Sequence, residues 1–108
     1  MNKYCLVMKW DYEYDKESTW YDEDSGKKRY ELVEGAQYPL PHEDKIKVEI
    51  RSVTQKGDTV KAEVYVDHHT VTVVSDGEPA VTHASNSYSV TGDSVHESWC
   101  LTFTVEKE

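Results

Sequence analysis

Apolar and polar residues alternate along most of this chain, and that alternation restricts it to half-buried β-strands. A period of two residues places successive side chains on opposite faces of a strand, whereas a helix repeats at about 3.6 residues. Three runs show the pattern most clearly: Ile46, Val48 and Ile50; Val60, Ala62, Val64 and Val66; and Val95, Trp99, Leu101, Phe103 and Val105. One-sided strands of this kind are typical of antiparallel sheets with one buried face.

Clusters of turn residues divide the chain into seven or eight predicted strands. The clusters lie at 24–26, 55–58, 75–79 and 91–93. The inward parity changes at His68-His69, which requires a bulge or a tight turn. Segment 38–41 contains two prolines and is expected to be a loop. The predicted strands are 3–14, 18–23, 28–34, 45–54, 59–67, 70–75, 80–91 and 95–106. Many short strands at regular spacing predict an all-β fold, an antiparallel β-sandwich, with a closed β-barrel as the alternative.

Length and charge limit the functional classes. The chain has 108 residues, which suits a single β domain over 1–108. The net charge of −9 argues against nucleic acid and anionic membranes as partners. No apolar run is long enough to span a bilayer, and the first ten residues lack the apolar core of an export signal. We therefore expect a soluble, cytoplasmic domain.

The two cysteines, Cys5 and Cys100, are expected to be free thiols in a reducing compartment. If the first and last strands are neighbours, the two sulfurs could lie on one outer face within bridging distance. The sequence leaves both states open.

The most unusual segment combines acidic and aromatic residues. Positions 11–24 hold seven acids and one lysine, so their net charge is −6. Aromatic residues interrupt the acids at Tyr12, Tyr14, Trp20 and Tyr21. Aromatic side chains supply rigid contact area, and surrounding acids steer a basic partner. We expect Trp20 and Tyr21 to anchor a binding surface with Asp22, Glu23 and Asp24 as its charged rim.

A purely structural interpretation competes with this one. A hairpin around Ser25-Gly26 would set the basic run 27–29 opposite the acids. Tyr12 and Tyr14 share the parity of the apolar residues before them and are candidates for the core. Of the adjacent Trp20 and Tyr21, one is expected to face solvent.

No catalytic or metal-binding motif accompanies the segment. The chain has no nucleophile elbow, no phosphate-binding glycine loop and no CxxC. Zinc needs three or four convergent ligands, and the histidines have no spacing that assures them. Those histidines are His42, His68, His69, His83 and His96. We therefore expect neither an enzyme nor a metal or other cofactor.

The sequence favours a small acidic, non-catalytic binding module that recognises a protein partner with a basic patch. One alternative is a carbohydrate-binding module of the β-sandwich type, in which exposed Trp and Tyr stack on sugar rings. Another is a structural domain whose aromatic strip seals a homodimer.

Overall fold

A computed structural model describes residues 3–17 and 20–108, and within these residues eight strands form. They are β1 (Tyr4–Lys16), β2 (Trp20–Glu31), β3 (Gln37–Leu40), β4 (Glu43–Lys56), β5 (Thr59–Val66), β6 (His69–Val74), β7 (Ala80–Val90) and β8 (Asp93–Lys107). One sheet has the order β2-β1-β8-β7 and the other β3-β4-β5-β6, with every pair antiparallel. The sheets do not close into a barrel, so the predicted β-sandwich is confirmed. In the described ranges, no helix has the length and apolar character needed to cross a membrane.

The core lies between the sheets and contains the alternating residues that the sequence indicated. Trp99 and Phe103 of β8 are the largest fully buried side chains, and Val64 of β5 is fully buried opposite them in the same cluster. Burying a side chain of this size contributes about 2 kcal/mol. The buried cluster contains Leu6, Met8, Trp10, Tyr12, Leu40, Val48, Ile50, Val60, Ala62, Val64, Val66, Val73, Ala84, Trp99, Leu101, Phe103 and Val105. Tyr14 packs against it, so the inward parity predicted for Tyr12 and Tyr14 is confirmed.

The predicted hairpin at 24–26 is wrong. Residues 20–23 and 28–31 of the predicted strands 18–23 and 28–34 belong to one continuous strand, β2. Residues 32–34 follow the end of β2, and positions 18 and 19 lie outside the described residues. Gly26 pairs with Trp10 of β1, and a Cβ atom at Gly26 would lie 2.6 Å from Cζ2 of the Trp10 ring. The glycine therefore lets an indole ring approach the backbone, a role that a local turn pattern cannot distinguish from a turn.

The segment 38–41 was also predicted incorrectly in part, because β3 (Gln37–Leu40) includes Pro39. This strand lies at the edge of its sheet, where a missing N–H breaks no ladder bond. The tight turns predicted near 55–58, 68–69 and 91–93 are confirmed by the ends of β4, β5 and β7. Asp67 and His68 both have positive φ, which closes the second of these turns.

β1 and β8 are neighbours, yet Cys5 and Cys100 are free thiols. Cys5 lies opposite Glu106, whereas Cys100 lies opposite Asp11. The two positions are six residues apart along β1, about 20 Å at the usual rise of a strand. A disulfide needs Cα atoms within about 7 Å, so this register excludes the bridge.

Candidate functional site: the edge strand β2

All five residues predicted to bind a partner lie on β2, the edge strand of its sheet, and all are exposed. Trp20 is 62% exposed and Tyr21 is 58% exposed. Both side chains therefore face solvent, whereas the sequence predicted this for only one of them. Neighbours on a strand point to opposite faces. Tyr21 and Glu23 therefore lie on the outer face of the sheet, while Trp20, Asp22 and Asp24 lie on the face that carries the buried Tyr12.

On the outer face, two carboxylates lie directly opposite one another. Glu23 of β2 pairs with Glu13 of β1, and directly opposite residues have Cβ atoms about 5 Å apart. The Tyr21 hydroxyl donates a hydrogen bond of 3.3 Å to Glu23 Oε2. Partial desolvation, then the charges of Glu13 and Glu23, raise the pKa of the Tyr21 hydroxyl. The tyrosine thus lies beside a concentration of negative charge.

The acids on this face continue along β1. Asp11 and Asp15 share the parity of Glu13 and lie on the same face. We call the four residues Asp11, Glu13, Asp15 and Glu23 the outer acidic patch. The ion pairs between described residues are Lys16–Asp93, Arg29–Glu106, His42–Asp24 and Arg51–Glu49, and none of them reaches the patch. An open groove of about 670 Å³ runs beside it, from Asp11 to Asp24.

The basic run 27–29 does not lie opposite the acids, as a hairpin would have required. Because β2 is continuous, Lys27, Lys28 and Arg29 pair with Lys9, Met8 and Val7. The strand therefore has an acidic half and a basic half, separated by Ser25 and Gly26.

Asp24 has a partner within the fold. His42, in the turn between β3 and β4, has its Nε2 atom 2.8 Å from Asp24 Oδ2. The imidazole stacks on the Tyr12 ring with 4.2 Å between centroids. The hydrogen bond from His42 lowers the pKa of the Asp24 carboxyl. Asp24 thus ties β2 to the opposite sheet, and the other predicted acids, Asp22 and Glu23, remain directed at solvent.

Two N–H groups of β2 point away from β1. The backbone N–H of Glu23 donates to Asp22 Oδ1, and that of Ser25 donates to Asp24 Oδ1, each at 2.9 Å. A strand's N–H groups alternate between its two sides. The odd-numbered residues of β2 therefore present their backbone groups to the open edge, where two aspartate side chains cover the donors.

Behind the edge lies a buried polar cluster that sequence reasoning missed. The buried Glu97 of β8 accepts a hydrogen bond from the Tyr12 hydroxyl through Oε2 and one of 3.1 Å from Asn86 Nδ2 through Oε1. Asn86 Nδ2 also donates to Glu43 Oε2 at 3.1 Å. The sequence signal for this cluster is Glu97, a charged residue at an inward position of β8 between Val95 and Trp99. This cluster fixes the position of Tyr12 and hence of β1, the strand that pairs with β2.

Two of the five histidines share a groove, and the others lie apart from it. His96 Nδ1 lies 2.9 Å from Ser87 Oγ, and His68 Nδ1 lies 3.4 Å from the Tyr65 hydroxyl. His69 and His83 line a groove of about 380 Å³ with Cys100 and acidic neighbours. In the part of the chain that the structure describes, no three His, Cys, Asp or Glu side chains are arranged to hold a metal ion.

The described surface can thus attract cations, and along one edge it presents backbone groups that no neighbouring strand pairs with. Acids that no described basic side chain neutralises accelerate association with a basic partner. An exposed sheet edge accepts an additional strand through main-chain hydrogen bonds. No family model, curated protein or solved structure matches the chain.

Proposed function

We propose that the chain is a non-catalytic binding module whose strand β2 receives an extended, basic segment of a protein partner. The observation that carries this proposal is the pair Glu13 and Glu23, directly opposite one another beside an open sheet edge. Like charges in that position destabilise the sheet. A cationic side chain placed beside them would reverse the sign of the interaction.

The edge itself supports an extended ligand. The twelve residues of β2 are exposed except for Gly26 and Tyr30, which are half-buried. An added strand would form ladder bonds with the outward backbone groups of Glu23 and Ser25, replacing the bonds that these N–H groups donate to Asp22 and Asp24. Alternate side chains of the segment would then lie over the outer acidic patch.

Trp20 and Tyr21 would anchor the end of the segment. Exposed aromatic residues of this kind often contribute most of the binding energy in protein interfaces. They lie on opposite faces of the sheet and so do not form one flat platform for a sugar ring. That arrangement favours a polypeptide, which can pass between the two side chains, as the ligand in preference to a polysaccharide.

A titration with synthetic peptides tests the proposal. Amide NMR spectra of the labelled protein would be recorded with a peptide of alternating lysine and threonine, and with a matched peptide of glutamate and threonine. We expect the basic peptide to shift the resonances of β2 and of residues 11–15, and the acidic peptide to shift none.

Matched charge variants locate the effect. Glu13→Gln/Glu23→Gln should weaken binding of the basic peptide by roughly tenfold, since it removes the paired carboxylates. Glu63→Gln/Glu78→Gln removes the same charge elsewhere and should leave binding unchanged. Equal losses in both variants, or shifts spread over the whole chain, would show only nonspecific attraction and overturn the proposal.

A further inference from the structure

The charges along β2 are arranged so that the strand complements its own reverse. The acids Asp22, Glu23 and Asp24 precede Ser25-Gly26, and the basic residues 27–29 follow. An antiparallel copy of the strand runs in the opposite direction, so its basic half would lie beside the acidic half of the first. A basic segment of the kind that the acidic half of β2 would bind is therefore present in the chain itself, at residues 27–29.

Symmetry restricts how two such strands can pair. A two-fold axis between antiparallel strands of one sheet runs perpendicular to that sheet and keeps each face on its own side. Directly opposite residues lie on the same face, so they must share the same parity in the two copies. The axis then passes through a residue paired with itself. An axis at Asp24 or Lys27 would oppose like charges, whereas an axis at Ser25 or Gly26 opposes none.

The register centred on Ser25 also gives partners to the exposed aromatic residues. It sets Glu23 opposite Lys27 of the second copy and Asp22 opposite Lys28, and symmetry repeats both pairs. Tyr21 then lies opposite Arg29 and Trp20 opposite Tyr30. A guanidinium beside a tyrosine and two aromatic rings across a strand pair are both favourable contacts. The Gly26 register would instead require Asp24, which is bonded to His42, to pair with Lys28.

We propose that two copies of the chain associate through β2, antiparallel and with Ser25 at the two-fold axis, to form one continuous eight-stranded sheet. This inference rests on the proposed function, because it identifies the basic partner segment as the second copy's own β2. The hydrogen-bonding geometry agrees, since the outward N–H groups of Glu23 and Ser25 would face the carbonyls of Lys27 and Ser25 of the second copy.

The other sheet edges do not offer this match. The edge strand β7 (Ala80–Val90) contains no Asp, Glu, Lys or Arg. In the second sheet, β3 (Gln37–Leu40) has four residues and includes a proline, and β6 (His69–Val74) has six residues and no acid or lysine. Among the described edge strands, β2 alone is long and carries an acidic half and a basic half that can complement a second copy.

Charge exchange tests the pairing. Asp22→Lys/Glu23→Lys makes β2 basic in both halves, and Lys27→Glu/Lys28→Glu makes its central positions acidic in both halves. Sedimentation equilibrium of each variant alone should show a dimer dissociation constant raised roughly a hundredfold over wild type, because four opposite-charge pairs become like-charge pairs. An equimolar mixture of the two variants should form a heterodimer. The quadruple variant, which carries both changes in one chain, should form a homodimer again.

Two controls complete the design. Lys45→Glu/Lys47→Glu reverses two exposed lysines on β4 and should leave the dimer unchanged. A Ser25→Cys variant in a Cys100→Ala background should crosslink across the axis on mild oxidation, because hydrogen-bonded residues have Cα atoms about 5.5 Å apart. The same change at Thr72 on β6 should not crosslink.

The outcomes separate the two proposals. A wild type that stays monomeric at millimolar concentration, or a dimer that the β2 variants do not disturb, would overturn self-pairing. The basic peptide is then titrated into Lys27→Glu/Lys28→Glu, whose acidic half is intact and whose self-association is blocked. Binding there without a wild-type dimer supports the basic-partner proposal alone, whereas failure of both experiments overturns both.

Discussion

The Tyr12 hydroxyl donates a hydrogen bond to Oε2 of Glu97, and both side chains are buried between the sheets. The other carboxylate oxygen of Glu97 accepts from Asn86. A buried carboxylate is tolerated only when its oxygens have partners. These bonds therefore make an acidic residue of β8 compatible with the core.

Removing either the Tyr12 hydroxyl or the Glu97 carboxylate should lower the free energy of unfolding, and the effects of the two substitutions should not be additive. Tyr12→Phe should lower the free energy of unfolding by about 2 kcal/mol, the usual contribution of a hydrogen bond to a charged group. The double variant Tyr12→Phe/Glu97→Gln should show a coupling energy of about 1 kcal/mol or more in urea denaturation. Tyr65→Phe, whose hydroxyl lies 3.4 Å from His68, is the control and should change stability by less than about 0.5 kcal/mol. Simple additivity would contradict the pairing.

Alkaline pH should destabilise the fold through its tyrosines. Burial raises the pKa of three of them above the ordinary value of 10: the buried Tyr12 and the half-buried Tyr30 and Tyr38. A raised pKa in the folded state means that stability is complete below pH 10 and is lost as the pH rises beyond it. Urea denaturation from neutral pH upward should show this loss, and Tyr12→Phe should make it shallower. Parallel losses in the two proteins would exclude a contribution from Tyr12.

Much of the architecture follows from local pattern, but the site does not. Alternation identified the inward residues of β5 and β8, and turn residues marked the ends of β4 and β7. The turn predicted at Gly26 is wrong because the role of this glycine depends on Trp10, which is distant in sequence. The edge position of β2 and the opposition of Glu13 and Glu23 depend on strand order and register, which a local pattern does not contain.

The bond between Asp24 and His42 should contribute to stability above the acidic range. The pKa of the Asp24 carboxyl is lowered from 3.8, chiefly by the hydrogen bond from His42. A lowered pKa in the folded state gives stability that is present above pH 3.8 and lost as the pH falls through the lowered value. Asp24→Asn should therefore be less stable than wild type at neutral pH, and the difference should shrink in acid. Asp44→Asn is the exposed control, and an equal response in both variants would contradict the assignment.

Gly26→Ala should destabilise the protein, although glycine inside a strand is generally less stable than alanine. The added Cβ would lie 2.6 Å from the Trp10 ring, so the indole or β2 must move. Overpacking of this kind costs about 2 kcal/mol. Near-ultraviolet circular dichroism should report the displaced indole, and urea denaturation the lost stability. Ser25→Ala, on the outer face of the same strand, should leave both unchanged; a neutral Gly26→Ala would show that the ring does not pack against the strand.

The two thiols should differ in reactivity and should not join. Cys5 is 1% exposed, and its sulfur accepts a hydrogen bond of 3.7 Å from Arg29 Nη1, whereas Cys100 is half-buried. A thiol reagent should therefore modify Cys100 in the native protein and Cys5 only after unfolding. Oxidation of dilute protein should leave no intramolecular disulfide, because six register positions separate the pair along β1. Rapid modification of both thiols in the native state would mean that β1 lacks the cover that buries Cys5, and a Cys5–Cys100 disulfide would require a different register between β1 and β8.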